Sequence, residues 1–226
     1  MDAALYRRAA GGFAVLIVIL GAALFIPAGT IRYWQAWVFC AIFSVWVLAI
    51  TVYLARNDPK LLKRRINAGP AAEKETSQKI IQLFASLSFI AIFVVSAIDH
   101  RLGWSAVPVS VVVLGDALIA LGFYAVFLVL RENTYAAGTI EVEQGQQVIS
   151  TGPYALVRHP MYAGALIMLL GIPLALGSWW GLLTIVPMAL VLVWRILEEE
   201  AFLGKNLSGY VEYRAQVKYR LVPLIW

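Results

Sequence analysis

The sequence predicts an all-α fold, a polytopic membrane helix bundle of about six transmembrane helices. Three observations predict it. Of the 226 residues, 62% are hydrophobic and the mean hydropathy is +0.80, whereas soluble domains run nearer ~45–50% apolar. Uncharged runs long enough to cross a hydrocarbon core of ~30 Å recur along the chain. The basic residues collect in short segments between those runs, so the net charge of +5 reads as a topology signal and excludes a nucleic-acid surface.

Taken in order, Arg7 and Arg8 precede an uncharged run from Ala9 to Ile31, the first span. It is longer than a signal-peptide core, and a second run, Tyr33 to Ala55, follows almost at once. Cys40 lies in that second run; as the one cysteine, it excludes an intramolecular disulfide. Arg56 to Lys79 is a polar loop holding Lys60, Lys63, Arg64, Arg65 and Lys74, with Asn57-Asp58-Pro59 as a turn or helix start. Ile80 to Ile98 is the third span. Pro108 to Leu130 is the fourth and carries one charge, Asp116, an intramembrane carboxylate that reads as functional or, in the favoured structural reading, as lying shallow or pairing with a Ser or Tyr of a neighbouring helix.

Arg131 to His159 is a polar excursion. Pro160 to Trp194 is then an uncharged stretch of 35 residues, ~52 Å as one helix and too long for a single crossing. Leu176-Gly177-Ser178-Trp179-Trp180 breaks it into a helical hairpin, spans five and six. The polar tail from Glu198 ends apolar, Leu221 to Trp226, and reads as an interfacial segment folding back on the membrane. This divides the chain into four N-terminal spans (1–130) and a C-terminal core (131–226).

Six spans put both termini on one side. The N-terminus, the 56–79 loop, the excursion and the tail hold 15 of the 18 basic residues. By the positive-inside rule these segments, and both termini, are cytoplasmic. His100 and Arg101 fall on the far side.

The chemistry-bearing stretch is Ser150 to Gly164. Gly152-Pro153 marks a turn, and Pro160 suits the first position of a helix, where its missing N–H costs nothing. Arg158 and His159 precede that helix start, whose free N–H groups and positive dipole end favour a carboxylate or phosphate. The same residues also suit simple anchoring in the headgroup region. A second cluster, Arg195 to Glu200, sits at the end of span six, with Arg195 and Glu199 on one helix face. Three carboxylates at a helix C-terminus oppose the dipole. They read either as a solvated edge or as a site for a polyol or cation. The hairpin returns span six beside span five, so both clusters are expected in one pocket, with Arg158 and Glu200 at its aqueous rim. No metal-ligand cluster or glycine-rich nucleotide loop is present.

The string Gly152 to Gly164 with Arg158, His159, Pro160, Tyr162 and Gly164, then Glu199-Glu200, then Tyr210, Tyr213 and Val217, resembles the isoprenylcysteine carboxyl methyltransferase family. That family belongs to a wider group of membrane methyltransferases that includes phospholipid N-methyltransferases. Asn133 resembles an upstream asparagine of the family. The resemblance covers about residues 131 to 226, and the first four spans match in character alone.

The resemblance implies S-adenosylmethionine (SAM) as cofactor, S-adenosylhomocysteine as product and a cytoplasmic cofactor site. It implies cofactor binding by Asn133, Tyr154, His159, Tyr162, Gly164, Glu199 and Glu200, and catalytic roles for Arg158 and Glu199. Its partners are a lipophilic acceptor and membrane lipids, with no nucleic acid. An isoprenylcysteine-like carboxylate is favoured as acceptor, because it is ionised at neutral pH and needs no general base. The competing readings are an NADPH-dependent membrane reductase of steroid-reductase type and a non-catalytic membrane scaffold or transporter.

Overall fold

The computed structural model describes residues 3–73 and 75–226; Lys74, one of the basic residues of the polar loop, lies outside them. Among the described residues all regular structure is helical. The long helices are α1 (Ala3–Ala28), α2 (Trp34–Asn57), α4 (Thr76–Leu102) and α5 (Val109–Glu132). Between α2 and α4 lies the short α3 (Pro59–Ile66). Asp58 starts it: its carboxylate accepts from the Leu61 N–H at 2.9 Å, and Pro59 takes the first helical position.

The predicted hairpin is present but unequal. Its first arm, α6 (Pro160–Ala175), has 16 residues, about 24 Å and short of a ~30 Å core. Pro173 sits in its last turn, and Gly177 follows at φ 70°, a left-handed conformation that glycine adopts without strain. The return arm is longer, a 3-10 turn (Trp180–Thr184) running into α7 (Ile185–Asn206). Among the described residues, five helices are thus long and apolar enough to cross a membrane, with α6 as a shorter sixth apolar helix. The chain is an integral membrane protein.

α5 and α6 run antiparallel with their backbones in contact. A Cβ on Gly115 would lie 2.2 Å from the Ala175 amide nitrogen, and one on Gly122 would lie 2.6 Å from the Gly164 carbonyl. Gly171 closes on Gly115 in the same way. Small residues at these crossings permit an approach that no side chain would allow. The contact joins the N-terminal spans to the C-terminal region and fixes where α6 begins.

At one end of the bundle, Tyr33 donates to the Leu176 carbonyl at 2.7 Å and stacks on His100 at 3.8 Å. Ser105 and Ser178 both donate to Asp99 Oδ2, which ties the hairpin turn to α4. At the other end, Leu5 packs with Leu61, Leu62, Leu130 and Met161. Both ends of the described chain lie there, because the tail 217–220 runs beside Arg158 and His159. Of the readings open for Asp116 on α5, the Ser or Tyr partner is not found: its Oδ1 is buried and accepts no hydrogen bond among the described residues.

Candidate active site

Four segments converge at this second end. They are the excursion after α5, the start of α6, the end of α7, and α8 (Tyr210–Gln216) with the tail behind it. They enclose a cleft of about 840 Å³ including its open mouth.

The start of α6 is organised by Glu200. Arg158 donates through Nε to Glu200 Oε1 at 2.7 Å, His159 Nε2 lies 3.2 Å from the same oxygen, and Arg220 donates to Oε2 at 3.0 Å. Arg158 also donates to the carbonyls of Val217 and Lys218, both at 2.8 Å. Its own backbone N–H and that of His159 donate to the carbonyls of Tyr219 and Arg220. Arg158, His159 and Glu200 are all buried. The expectation of an aqueous rim for Arg158 and Glu200 is therefore corrected. Three cationic or imidazole groups on one carboxylate make a compact buried cluster, and the tail covers it.

Glu199, one residue earlier, points differently. Its Oε2 accepts from the Tyr162 hydroxyl at 2.7 Å, and both residues line the cleft. Arg195 shares its helix face and stands beside the Tyr162–Glu199 pair, but its ion pair is with Glu73 at 2.6 Å, and it donates to Gln78. Glu73 also accepts from Gln82 and from the Ile140 N–H. It thereby connects the segment after α3, α7 and the excursion. Among the described residues, neither Glu199 nor Glu141, the two carboxylates lining the cleft, is in an ion pair.

The aromatic wall is built from the excursion and the tail. Asn133 donates to the Tyr154 hydroxyl at 2.7 Å, and Tyr213 donates to the Tyr154 carbonyl at 2.8 Å. Burial pushes the Tyr154 phenol up to about 12, with the Asn133 hydrogen bond opposing and the Glu199 charge adding to the rise. Burial, aided by the charges of Glu200 and Glu199, also raises Tyr210; burial raises Tyr213 as well. Tyr210 is the notable one: its buried hydroxyl has no hydrogen-bond partner among the described residues, yet the side chain lines the cleft. A buried, unpaired phenol costs free energy unless a ligand satisfies it.

The excursion is strapped across this wall. Arg64 pairs with Glu143 and donates to the Thr134 carbonyl, while Arg65 donates to the Ala136 carbonyl at 3.0 Å.

Of the residues singled out in the sequence, Asn133, Tyr154, Arg158, His159, Tyr162 and Glu199 line the cleft. Glu200 and Gly164 do not. Glu200 stands behind the wall as the anchor of Arg158 and His159. Gly164 faces α5, where a Cβ would meet Ala125 at 3.0 Å. Glu141, Tyr210 and Tyr213 belong to the wall beside them. Glu73, in a loop read only for its basic charge, could not be found from sequence, since its partner Arg195 lies 122 positions away.

A search of the curated proteins gives no significant match. Residues 110–208, which carry α5, α6 and the Glu199-Glu200 pair, match the family model described as phospholipid methyltransferase.

Proposed function

We propose that the cleft binds SAM and that the protein transfers its methyl group to the amine of a lipophilic acceptor at the membrane surface. The observation that carries this reading is the make-up of the wall: two carboxylates outside any ion pair, Glu141 and Glu199, with Tyr154, Tyr162, Tyr210 and Tyr213 around them. Such a wall suits a cationic nucleoside. Carboxylates accept from ammonium and ribose hydroxyl groups, phenol faces tolerate a sulfonium, and the Tyr210 hydroxyl awaits a partner.

When bound, SAM supplies an electrophilic methyl on a sulfonium and leaves as the neutral thioether S-adenosylhomocysteine. The chain's own contribution is then positioning and exclusion of water. Glu200 holds Arg158 and His159 in place, so the α6 start forms a fixed wall. Tyr162 orients Glu199, and Glu199 is the carboxylate placed to steady positive charge or take a proton from an amine.

The acceptor follows from charge. A carboxylate acceptor, such as an isoprenylcysteine-like acid, needs a cation in the cleft. Among the lining residues the one strong cation, Arg158, already serves Glu200 and two carbonyls, while Arg195 and Arg65, which stand beside Tyr162, are held by Glu73 and by the Ala136 carbonyl. That favours an amine over the carboxylate suggested by the sequence motif alone, and it fits the phospholipid methyltransferase match. The same shortage of cations disfavours the phosphate-rich NADPH of the reductase reading. We place the cleft and both termini on the cytoplasmic side, on the asymmetry of the basic residues.

The test is labelling of lipid extracts by radiolabelled SAM in membranes containing the protein, with ethanolamine lipids and a free prenylcysteine offered in parallel. Label is expected on the lipid amine. Base-labile methyl ester would mark a carboxylate acceptor, and no protein-dependent label would overturn the methyl-transfer reading.

A further inference from the structure

We infer that the C-terminal loop Leu221–Trp226 is an interfacial anchor that inserts Leu224 and Ile225 into the same bilayer that holds the helices. The two side chains are 85% and 80% exposed, with Val222 beside them in sequence also exposed. They top a closed loop. The N–H groups of Arg220, Leu221 and Val222 all converge on the Trp226 backbone oxygen, the Trp226 N–H returns to the Val222 carbonyl, and the Arg220 guanidinium lies 5.1 Å over the Trp226 ring. A loop so tied presents its apolar tip outward instead of collapsing on it.

The depth of the loop is set by two independent contacts. The pairing of 158–159 with 219–220 fixes it beside the first turn of α6, where the chain enters its apolar helix. The Arg220–Glu200 pair fixes it at the end of α7, one turn beyond the outward-facing Leu197 and two beyond Trp194. α7 therefore carries exposed apolar side chains to within one turn of the level at which the loop sits. Leu156, exposed on the segment leading into Arg158, adds to this apolar rim. The flanking cations Arg214 and Lys218 are exposed, and Trp226 supplies an aromatic. Apolar tip, aromatic and cations in one short segment match a bilayer surface with anionic headgroups. They do not match a water-filled surroundings, in which two aliphatic side chains at a loop tip are unfavourable.

The anchor would bear on the cleft through the backbone. The carbonyls that receive the Arg158 and His159 N–H groups belong to residues 219 and 220, the last before the loop. Membrane insertion of the tip holds that pairing in place. This inference does not depend on the identity of cofactor or acceptor.

The test uses the full chain with Cys40→Ala and Ile225→Cys, labelled with an environment-sensitive dye and reconstituted into vesicles containing phosphatidylglycerol. Gln144→Cys, on the exposed excursion, is the aqueous control. Blue-shifted emission at 225, quenched by headgroup-proximal nitroxide lipid and protected from iodide, is expected. Water-like emission with iodide quenching equal to the control at 144 would overturn the anchor. A second readout, hydrogen exchange of the Arg158 and His159 amides, should lose protection in the Leu224→Asp, Ile225→Asp double variant. Unchanged protection there would overturn the coupling to the cleft.

Discussion

Arg158 and Glu200, 42 positions apart in the chain, form an ion pair of 2.7 Å between side chains that are only 5% and 4% exposed. Removing one partner of such a pair leaves an uncompensated buried charge, which costs about 3–5 kcal/mol. Arg158→Ala and Glu200→Ala are therefore each expected to lower the thermal midpoint in detergent, whether or not cofactor is present. The double variant Arg158→Met, Glu200→Leu should recover part of that loss, because the two buried charges leave together while Arg220 and the carbonyls of Val217 and Lys218 still lose a partner. Single variants as stable as the parent would show the pair to be solvated.

The α5–α6 crossing offers a purely steric prediction. A methyl group on Gly122 would lie 2.6 Å from backbone atoms of α6, whereas one on Gly11 meets nothing within 4 Å. Gly122→Ala should destabilise by about 1–3 kcal/mol through overpacking, and Gly11→Ala by no more than ~0.5 kcal/mol. Thermal midpoints of the two variants in the same detergent compare them directly. Because Gly164 lies on the same crossing, Gly122→Ala should also shift the α6 start and weaken cofactor binding.

The spans were legible because, Asp116 apart, charge is absent from them and length is unforgiving. The 35-residue run from Pro160 had to fold back, and Gly177-Ser178 is where it does. The inequality of its arms was less visible, since it rests on Pro173 ending α6 early. The convergence of Tyr162 with Glu199 followed from the hairpin alone. What each charge would do did not. Sequence shows that Arg158 is cationic, but not that Glu200 and two tail carbonyls consume it. Arg195 and Glu199 share a helix face at i, i+4, yet Arg195 is claimed by Glu73 from a distant loop. The seven-residue spacing of glycines, 115 and 122 against 164 and 171, was the available signal for the α5–α6 contact and for the packing role of Gly164.

The phenols of the cleft give a pH prediction. Tyr154, Tyr210 and Tyr213 all have folded-state values raised above the ordinary tyrosine value near 10.0. Their neutral form is favoured by folding, so their contribution to stability is complete below about pH 10 and is lost as pH rises toward about 12. Ultraviolet titration of tyrosinate should show a slow or late class of phenols in the folded protein. That class should shrink in the Tyr154→Phe variant. Titration of every phenol near the ordinary value would contradict the buried wall.

Orientation in the membrane is checked by cysteine accessibility in a Cys40→Ala background. Position 64 is expected to resist an impermeant reagent applied outside intact cells, and position 101 to react. The reverse pattern would place the cleft on the outer face.

The central claim is that the cleft is a SAM site with the Tyr210 hydroxyl as one of its contacts. Calorimetric titration of S-adenosylhomocysteine into the purified protein and its Tyr210→Phe variant tests it most directly, with Tyr124→Phe, at an exposed position on α5, as the control. The hydroxyl of Tyr210 has no internal partner to lose. The variant should therefore keep its thermal midpoint while affinity falls by about 0.5–1.5 kcal/mol, roughly 2- to 13-fold. Saturable one-to-one binding weakened by Tyr210→Phe and untouched by Tyr124→Phe is the predicted result; absence of saturable binding, or equal affinity in all three proteins, would contradict it.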